Sequence, residues 1–155
     1  WKLLAVSDYL KALIHWFKQF KYKMIIWFIL QCTVTILISI AYVANGNYLD
    51  GEKAMAPMTV MIAVLIQFII SLVIFYVFKK NFKGNNRIVF FMFNMVLYEL
   101  AFLFFSNSLP IFDIFKSGFI GFLNRVYSFS SLLSGVFMII AFYVFNLIER
   151  KNIAK

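Results

Sequence analysis

Cysteine and histidine are nearly absent from this chain. Its single cysteine, Cys32, lies inside an apolar run, and His15 is its single histidine. One cysteine cannot form an intrachain disulfide or the usual multi-cysteine zinc site. One histidine cannot supply both axial ligands of a haem. We therefore predict that the chain holds no metal and no cofactor.

The sequence also lacks the short motifs that carry common enzyme chemistry. It contains no P-loop, no dinucleotide-binding glycine fingerprint, no GxSxG, no HExxH and no CxxC pair. No aspartate lies within an apolar run, where an intramembrane aspartyl site would need two. The chain is therefore predicted to have no catalytic residue and not to be an enzyme.

Hydrophobic residues, by contrast, are abundant. They make up 64% of the 155 residues, charged residues make up only 14%, and phenylalanine alone occupies 21 positions. A soluble domain of this size has too little interior to hide so much apolar surface. The predicted fold class is therefore all-α integral membrane, with the lipid bilayer as the surrounding solvent.

Four stretches without lysine or arginine are long enough to cross about 30 Å of hydrocarbon as helices. They cover residues 24–44, 58–78, 88–105 and 126–148. They predict a bundle of four transmembrane helices within a domain of residues 24–155. This layout is broadly similar to that of small four-span families that accompany glycan-lipid transfer, such as the GtrA-like proteins, although the glycines expected in their first helix are missing here.

The segments outside these four spans differ in character. In residues 1–23, apolar side chains recur every three or four positions, which predicts an amphipathic interfacial helix whose cations contact anionic lipid head groups. Packing of this helix on a partner subunit is the alternative. Residues 45–57 are predicted to be a turn-rich polar loop. The segment between the third and fourth spans is predicted to dip into the membrane interface as a short helix starting near Pro110.

The chain carries a formal charge of +9, from 15 basic and six acidic residues. The basic residues are spread over short segments rather than grouped in a groove, so no nucleic-acid binding is predicted. Five lie before the first span, four between the second and third, and three after the fourth, which leaves three for the other two connections. By the positive-inside rule, both termini are predicted to lie on the cytoplasmic, or equivalent, side.

Four polar residues within the spans form the candidate intramembrane site. Glu99, the one charged residue within the four spans, and Gln67 each lie twelve residues from the basic residue that bounds their span. Asn94 and Gln31 lie seven and eight residues from theirs, so each pair is predicted to share a depth. Either Glu99, with Gln67, binds a proton, a cation or a polar head group, or it stays neutral and ties helices together.

Small side chains occupy the start of the fourth span. Ser128, Ser131 and Gly135 form a stripe at helical spacing and are predicted to allow close packing with a neighbouring helix.

These features support two functional hypotheses. The first is a non-catalytic small polytopic subunit of a larger membrane complex, which contributes scaffold helices and a polar intramembrane site at Glu99. The second is a self-contained carrier or oligomeric pore for an ion, a proton or a lipid-linked substrate. The predicted partners are the bilayer lipids, together with other membrane subunits or further copies of this chain.

Overall fold

Four long helices and one short 3-10 helix make up the computed structural model of this protein, which describes residues 23–47, 50–78 and 86–153. The long helices are α1 (Lys23–Ala44), α2 (Asp50–Val77), α3 (Asn86–Ser106) and α4 (Gly118–Ile153), and the short helix η1 spans Pro110–Asp113. No strand occurs in these three ranges. Each long helix holds a segment long and apolar enough to cross a membrane, with mean hydropathy between 2.1 and 2.8.

The predicted all-helical fold with four apolar helices is therefore confirmed. Residues 1–22, which carry nearly all of the predicted amphipathic helix, lie outside the described residues.

The long helices pack in a ring that follows the chain order. α1 contacts α2, α2 contacts α3, α3 contacts α4, and α4 returns to contact α1. Sequential neighbours joined by short connections run antiparallel, so the arrangement is an up-and-down four-helix bundle. The end of the bundle where α1 begins and α4 ends is called the near end below. The opposite end, which holds residues 107–117, is called the far end.

Two helices begin earlier than the apolar runs that predicted them. α2 begins at Asp50, inside the predicted loop of residues 45–57, and continues through Pro57, whose ring nitrogen cannot donate a backbone hydrogen bond. α4 begins at Gly118, well before residue 126. The reason is packing: Ala56 in the early part of α2 is 0% exposed, and Phe122 in the early part of α4 is 6% exposed. The buried Ala56 corrects the loop assignment of residues 50–57, and the buried Phe122 moves the start of the fourth long helix from residue 126 to Gly118.

The segment between α3 and α4 folds back onto the bundle. Asn107 has φ of 52° and ends α3 in the left-handed region that asparagine tolerates. Leu109 is extended, as the residue before a proline prefers, and Pro110 is buried at the start of η1. A short helix therefore starts at Pro110, as predicted. Its depth in a membrane stays a prediction.

The bundle buries polar side chains among apolar ones, and its outer surface is apolar. Buried polar residues come from every long helix and include Gln31, Ser71, Asn94 and Ser134. Each long helix also carries large apolar side chains that are more than half exposed, for example Leu37, Leu65, Val96 and Leu133. A water-soluble bundle has the opposite distribution. The four apolar helices thus suggest a membrane-embedded protein.

Candidate intramembrane polar site

Asn94 joins three helices in the half of the bundle toward the near end. Its side-chain nitrogen donates a hydrogen bond of 3.0 Å to Oε1 of Gln31 on α1. Its side-chain oxygen accepts a hydrogen bond of 2.7 Å from the hydroxyl of Ser71 on α2. All three side chains are buried, with at most 2% exposure. The amide of Asn94 therefore uses both its donor and its acceptor group to hold α1, α2 and α3 together.

A second polar contact joins α1 to α4. The hydroxyl oxygens of Thr35 and Ser134 lie 2.7 Å apart, and both side chains are buried. Thr35 Oγ1 also lies 2.9 Å from the backbone oxygen of Gln31, and Ser134 Oγ lies 2.9 Å from that of Ser131. Each hydroxyl has one proton, so one of the two donates to the other, and the hydroxyl that accepts donates its own proton to the backbone oxygen of its own helix. Together with the Asn94 contacts, this bond connects all four long helices through their polar interior.

Aromatic rings pack at the near end, next to these polar contacts. Trp27 of α1 makes edge-to-face contacts with Phe142 and Phe145 of α4, at centroid distances of 5.5 and 5.9 Å. Phe28 stacks on Phe90 of α3 at 4.6 Å. Such pairs contribute about 0.5–1.5 kcal/mol beyond their apolar burial. The near half of the bundle is therefore closed by packing as well as by hydrogen bonds.

Glu99 lies toward the far end, and its carboxyl group contacts the segment between α3 and α4. Its Oε2 accepts a hydrogen bond of 3.2 Å from the backbone nitrogen of Ile111 in η1. Gln67 of α2 is 3% exposed, and no hydrogen bond joins it to Glu99 in the part of the chain that the structure describes. The structure thus brings Gln31 and Asn94 together, but it does not pair Gln67 with Glu99.

The surroundings of Glu99 leave polar atoms unsatisfied. The hydroxyl of Ser128 on α4 lies beside the carboxyl group. Even so, Glu99 Oε1, Ser128 Oγ and the hydroxyl of Tyr98 are buried without a hydrogen-bond partner among the described residues. Buried polar atoms of this kind are rare because each costs about 1–3 kcal/mol. The far half therefore differs from the near half, where both polar atoms of the Asn94 amide have a hydrogen-bond partner.

The segment that covers Glu99 is held from both sides. Glu99 accepts the hydrogen bond of Ile111 from the α3 side, and Arg125 of α4 donates to the backbone oxygens of Ile114, at 3.0 Å, and Lys116, at 3.4 Å. Gly121 lies directly against the backbone oxygen of Lys116, so closely that a Cβ atom there would overlap it. These contacts fix the position of residues 107–117 over the carboxyl group.

A cleft of about 260 Å³ opens beside Glu99. α3 forms one wall and α4 the other, and Leu109 and Ile111 close the cleft on the side toward the far end. Apart from Glu99 and Ser131, the side chains that line it are apolar. Val96 and Leu100, which border the cleft on α3, are 54% and 40% exposed, so it communicates with the outer surface of the bundle rather than with its interior.

The predicted stripe of small residues faces α3. Ser128 and Ser131 are buried, and Gly135 lies where an added Cβ would meet the side chain of Met95 on α3. The small side chains thus allow α3 and α4 to approach closely on the near-end side of the cleft.

Sequence reasoning did not single out two of the residues that form the polar interior: Ser71 and Thr35. A signal for them was present, because Thr35 follows Gln31 and Ser71 follows Gln67 by four residues, which places each pair on one helix face. In the described residues, no group of three or more histidine, cysteine or acidic side chains could hold a metal ion. Glu99 is therefore the group with acid–base or ion-pairing chemistry on which a site in the spans would rest.

Comparison with known proteins adds no assignment. A scan against protein-family models, a search of curated proteins and a search of solved structures each found no match to this chain.

Proposed function

We propose that this chain is a non-catalytic subunit of a larger membrane protein complex, to which it contributes a rigid four-helix scaffold. The observation that carries the proposal is the amide of Asn94, which is bonded on both sides to neighbouring helices. Interior polar groups that bond to one another hold helices together. Supporting it further, apolar side chains on the outside of every long helix offer surface to helices of other subunits.

The proposal includes an orientation and a surface helix. The near end faces the cytoplasm or its equivalent, because twelve of the 15 basic residues lie outside the spans on that side. Residues 1–23 lie along the membrane surface and contact anionic head groups. Labelling with a membrane-impermeant thiol reagent tests the orientation in a Cys32→Ala background. In intact cells, Asn47→Cys should react and Asn85→Cys should not, and the reverse result would overturn the orientation.

The subunit role is tested by photo-crosslinking in the native membrane. A photoreactive amino acid is placed at the exposed positions Leu37, Leu65, Val96 and Leu133, one on each long helix. At least one position should give discrete adducts with proteins other than this 18.2 kDa chain. Val64, on the same helix as Leu65 but only 4% exposed, is the matched control and should give none. Adducts restricted to lipid, or to further copies of the chain, would contradict the proposal.

The second candidate is a carrier or an oligomeric pore, and the unpartnered oxygen of Glu99 favours it. Glutamine at this position keeps the shape and the hydrogen-bond acceptor but cannot ionise or release a proton. If the carboxyl group handles a proton or an ion, Glu99→Gln should leave assembly intact and abolish flux across liposomes that contain the purified chain. The subunit role is favoured over the carrier if crosslinking gives adducts with other subunits and the unaltered chain gives no flux across liposomes.

A further inference from the structure

Segment 107–117 is held in shape by contacts among its own residues. The backbone nitrogen of Phe112 donates to the oxygen of Leu109 at 3.1 Å. The backbone nitrogen of Lys116 donates to the oxygen of Asp113, also at 3.1 Å, and the side chains of these two residues form an ion pair of 3.0 Å. By contrast, no backbone–backbone hydrogen bond joins the segment to a long helix among the described residues. The segment can therefore leave the bundle without breaking its own structure.

Two side chains supply the hydrogen bonds that join the segment to the described parts of α3 and α4, past the turn that ends α3. Glu99 of α3 accepts the N–H of Ile111, at 3.2 Å. Arg125 of α4 donates to the backbone oxygens of Ile114 and Lys116, at 3.0 and 3.4 Å. Each attachment runs from one side chain to the backbone of the segment. Both can therefore open without any change in the backbone of α3 or α4.

Apolar packing adds little to this attachment. Phe112 and Phe115, the two largest side chains of the segment, are 77% and 92% exposed. Pro110 is buried, and Leu109 and Ile111 line the cleft, so the packed side chains are confined to one end of the segment. The closed position therefore depends mainly on the two hydrogen-bonding side chains.

The two ends of the segment have the backbone conformation of hinges. Asn107 and Gly118 have φ of 52° and 71°, in the left-handed region that asparagine and glycine adopt most readily. Glycine also takes negative φ without steric cost, so the backbone at residue 118 can turn when the segment moves. A Cβ atom added at Gly118 would meet no atom within 4 Å, so packing does not restrict this turn. Hinged segments move through large changes of φ and ψ at a few such residues.

The segment lies between the carboxyl group of Glu99 and the aqueous phase at the far end. Glu99 is seven residues before Ser106, the last residue of α3, which is about 10 Å at helical rise. The segment occupies this distance, and Ile111 at its centre contacts the carboxyl group directly. Movement of the segment therefore decides whether water reaches the one charged residue within the spans.

We propose that segment 107–117 is a hinged flap, which opens as one body about Asn107 and Gly118 and exposes the carboxyl group of Glu99 to water on the far side. Glu99 and Arg125 hold the flap closed. The inference does not depend on whether the chain acts as a subunit or as a carrier. Its test uses the purified full chain alone, so its failure would leave the crosslinking result untouched.

The first test is hydrogen exchange, followed by NMR, on the full chain in phosphatidylcholine nanodiscs. Gly118→Ala adds no contact, but it disfavours the closed flap because alanine resists the left-handed region. Exchange at the Ile111 amide should accelerate by about fivefold or more. Ser117→Ala, at the neighbouring exposed position, is the control and should have no effect. The amide of Asn94 should keep its rate in both variants, because it exchanges only when the bundle itself opens.

Two results of this experiment would overturn the proposal. If Gly118→Ala leaves exchange at Ile111 unchanged, residue 118 is not a hinge. If the amides of Ile111 and Asn94 accelerate by the same factor, the segment opens only when the bundle unfolds, and it is not a flap.

Arg125→Met tests whether the flap moves as one body. Methionine keeps an unbranched side chain but cannot donate to Ile114 or Lys116, and neither wild-type bond involves Ile111. If the flap opens as one body, exchange should nevertheless accelerate at Ile111. Arg125→Lys keeps a cationic donor and should accelerate it less. Acceleration at Lys116 without acceleration at Ile111 would show that the two ends move independently, and the proposal would be wrong.

Chemical modification tests the exposure of Glu99. A water-soluble carbodiimide with an amine nucleophile converts accessible carboxyl groups to amides, which mass spectrometry locates. Gly118→Ala should raise the rate of modification at Glu99 by about the factor found for exchange at Ile111. Asp113, whose side chain is already 23% exposed, is the internal control and should react equally in both proteins. Faster exchange at Ile111 with unchanged modification of Glu99 would show that the flap opens without exposing the carboxyl group, and the proposed control of access would fail.

Discussion

Asn94 and Glu99 lie on the same helix, five residues apart, yet their side chains are used in opposite ways. In the near half, the amide of Asn94 satisfies partners on α1 and α2 at 3.0 and 2.7 Å. In the far half, the carboxyl group of Glu99 uses one oxygen to hold Ile111 and leaves the other unpartnered, as are Ser128 Oγ and the Tyr98 hydroxyl. The two halves therefore have the same helices but different polar chemistry.

This difference separates structural polar groups from available ones. A buried group whose hydrogen bonds are all made within the protein contributes to stability and has nothing left to offer a ligand. A buried group that lacks a hydrogen-bond partner reduces stability. It is therefore a better candidate for binding. Substitutions in the near half should therefore lower the free energy of unfolding. Substitutions in the far half should mainly change what the protein binds.

Asn94→Leu should produce the largest loss of stability. It removes two interhelical hydrogen bonds and leaves the buried amide of Gln31 without its partner, which should lower the free energy of unfolding by about 2 kcal/mol. The measurement is equilibrium unfolding in mixed detergent micelles. Met92→Leu, at an exposed position of the same helix, is the control and should change little. Equal losses for the two variants would show that the Asn94 contacts do not stabilise the bundle.

Gly121→Ala should have the next largest effect, because its Cβ would overlap the backbone oxygen of Lys116. The segment 107–117 would have to move away from α4, at an expected cost of about 1–2 kcal/mol. Gly135→Ala is the comparison, since its Cβ meets only the side chain of Met95, which can turn aside, and it should cost less. Hydrogen exchange should show faster exchange at Ile111 in the first variant alone. Unchanged exchange at that amide would contradict the clamped arrangement.

Thr35→Val and Thr33→Val form a matched pair on α1. Both threonines donate to the backbone oxygen four residues earlier, but only Thr35 is buried and contacts Ser134 of α4. Thr35→Val should lower the free energy of unfolding by about 1 kcal/mol, and Thr33→Val should have almost no effect. If the two changes cost the same, the contact with α4 contributes nothing measurable.

Glu99→Gln should have the smallest effect on stability. The amide oxygen can accept the hydrogen bond of Ile111 as the carboxyl group does, so the free energy of unfolding should change by less than about 0.5 kcal/mol. Unfolding of this variant beside Asn94→Leu gives the comparison directly. A loss as large as that of Asn94→Leu would remove the distinction between the two halves.

The depth of a residue along its helix was predictable from the sequence. The direction in which its side chain points around the helix axis was harder to infer. Counting residues from the basic boundaries placed Gln31 and Asn94 at similar heights, and the structure joins them. The same count placed Gln67 with Glu99, which hydrogen-bonds elsewhere. Glu99 is five residues beyond Asn94 and hence turned by about 140° around the helix axis. Tyr98, four residues beyond Asn94 and 0% exposed, occupies the inward position instead.

α2 and α4 begin earlier than a count of apolar residues predicts. Pro57 and the glycines near residue 118 are local signals that favour a loop, and both segments are nevertheless helical. Buried contacts made by Ala56 and Phe122 outweigh those signals. In contrast, Pro110 marked the start of a short helix correctly, because its fixed φ suits a first helical position and it needs no backbone donor there.

The unequal lengths of α3 and α4 make the protein sensitive to the thickness of its membrane. α3 has 21 residues, or about 31 Å, which matches a hydrocarbon layer of about 30 Å, whereas α4 has 36 residues, or about 54 Å. In a thicker bilayer α4 can tilt less and still span it. α3 cannot lengthen, so the polar turn at Ser106 and Asn107 would be drawn into hydrocarbon. We therefore expect the chain to accumulate in the thinner membranes of a cell, because the length of α3 limits the bilayer thickness that the protein can span.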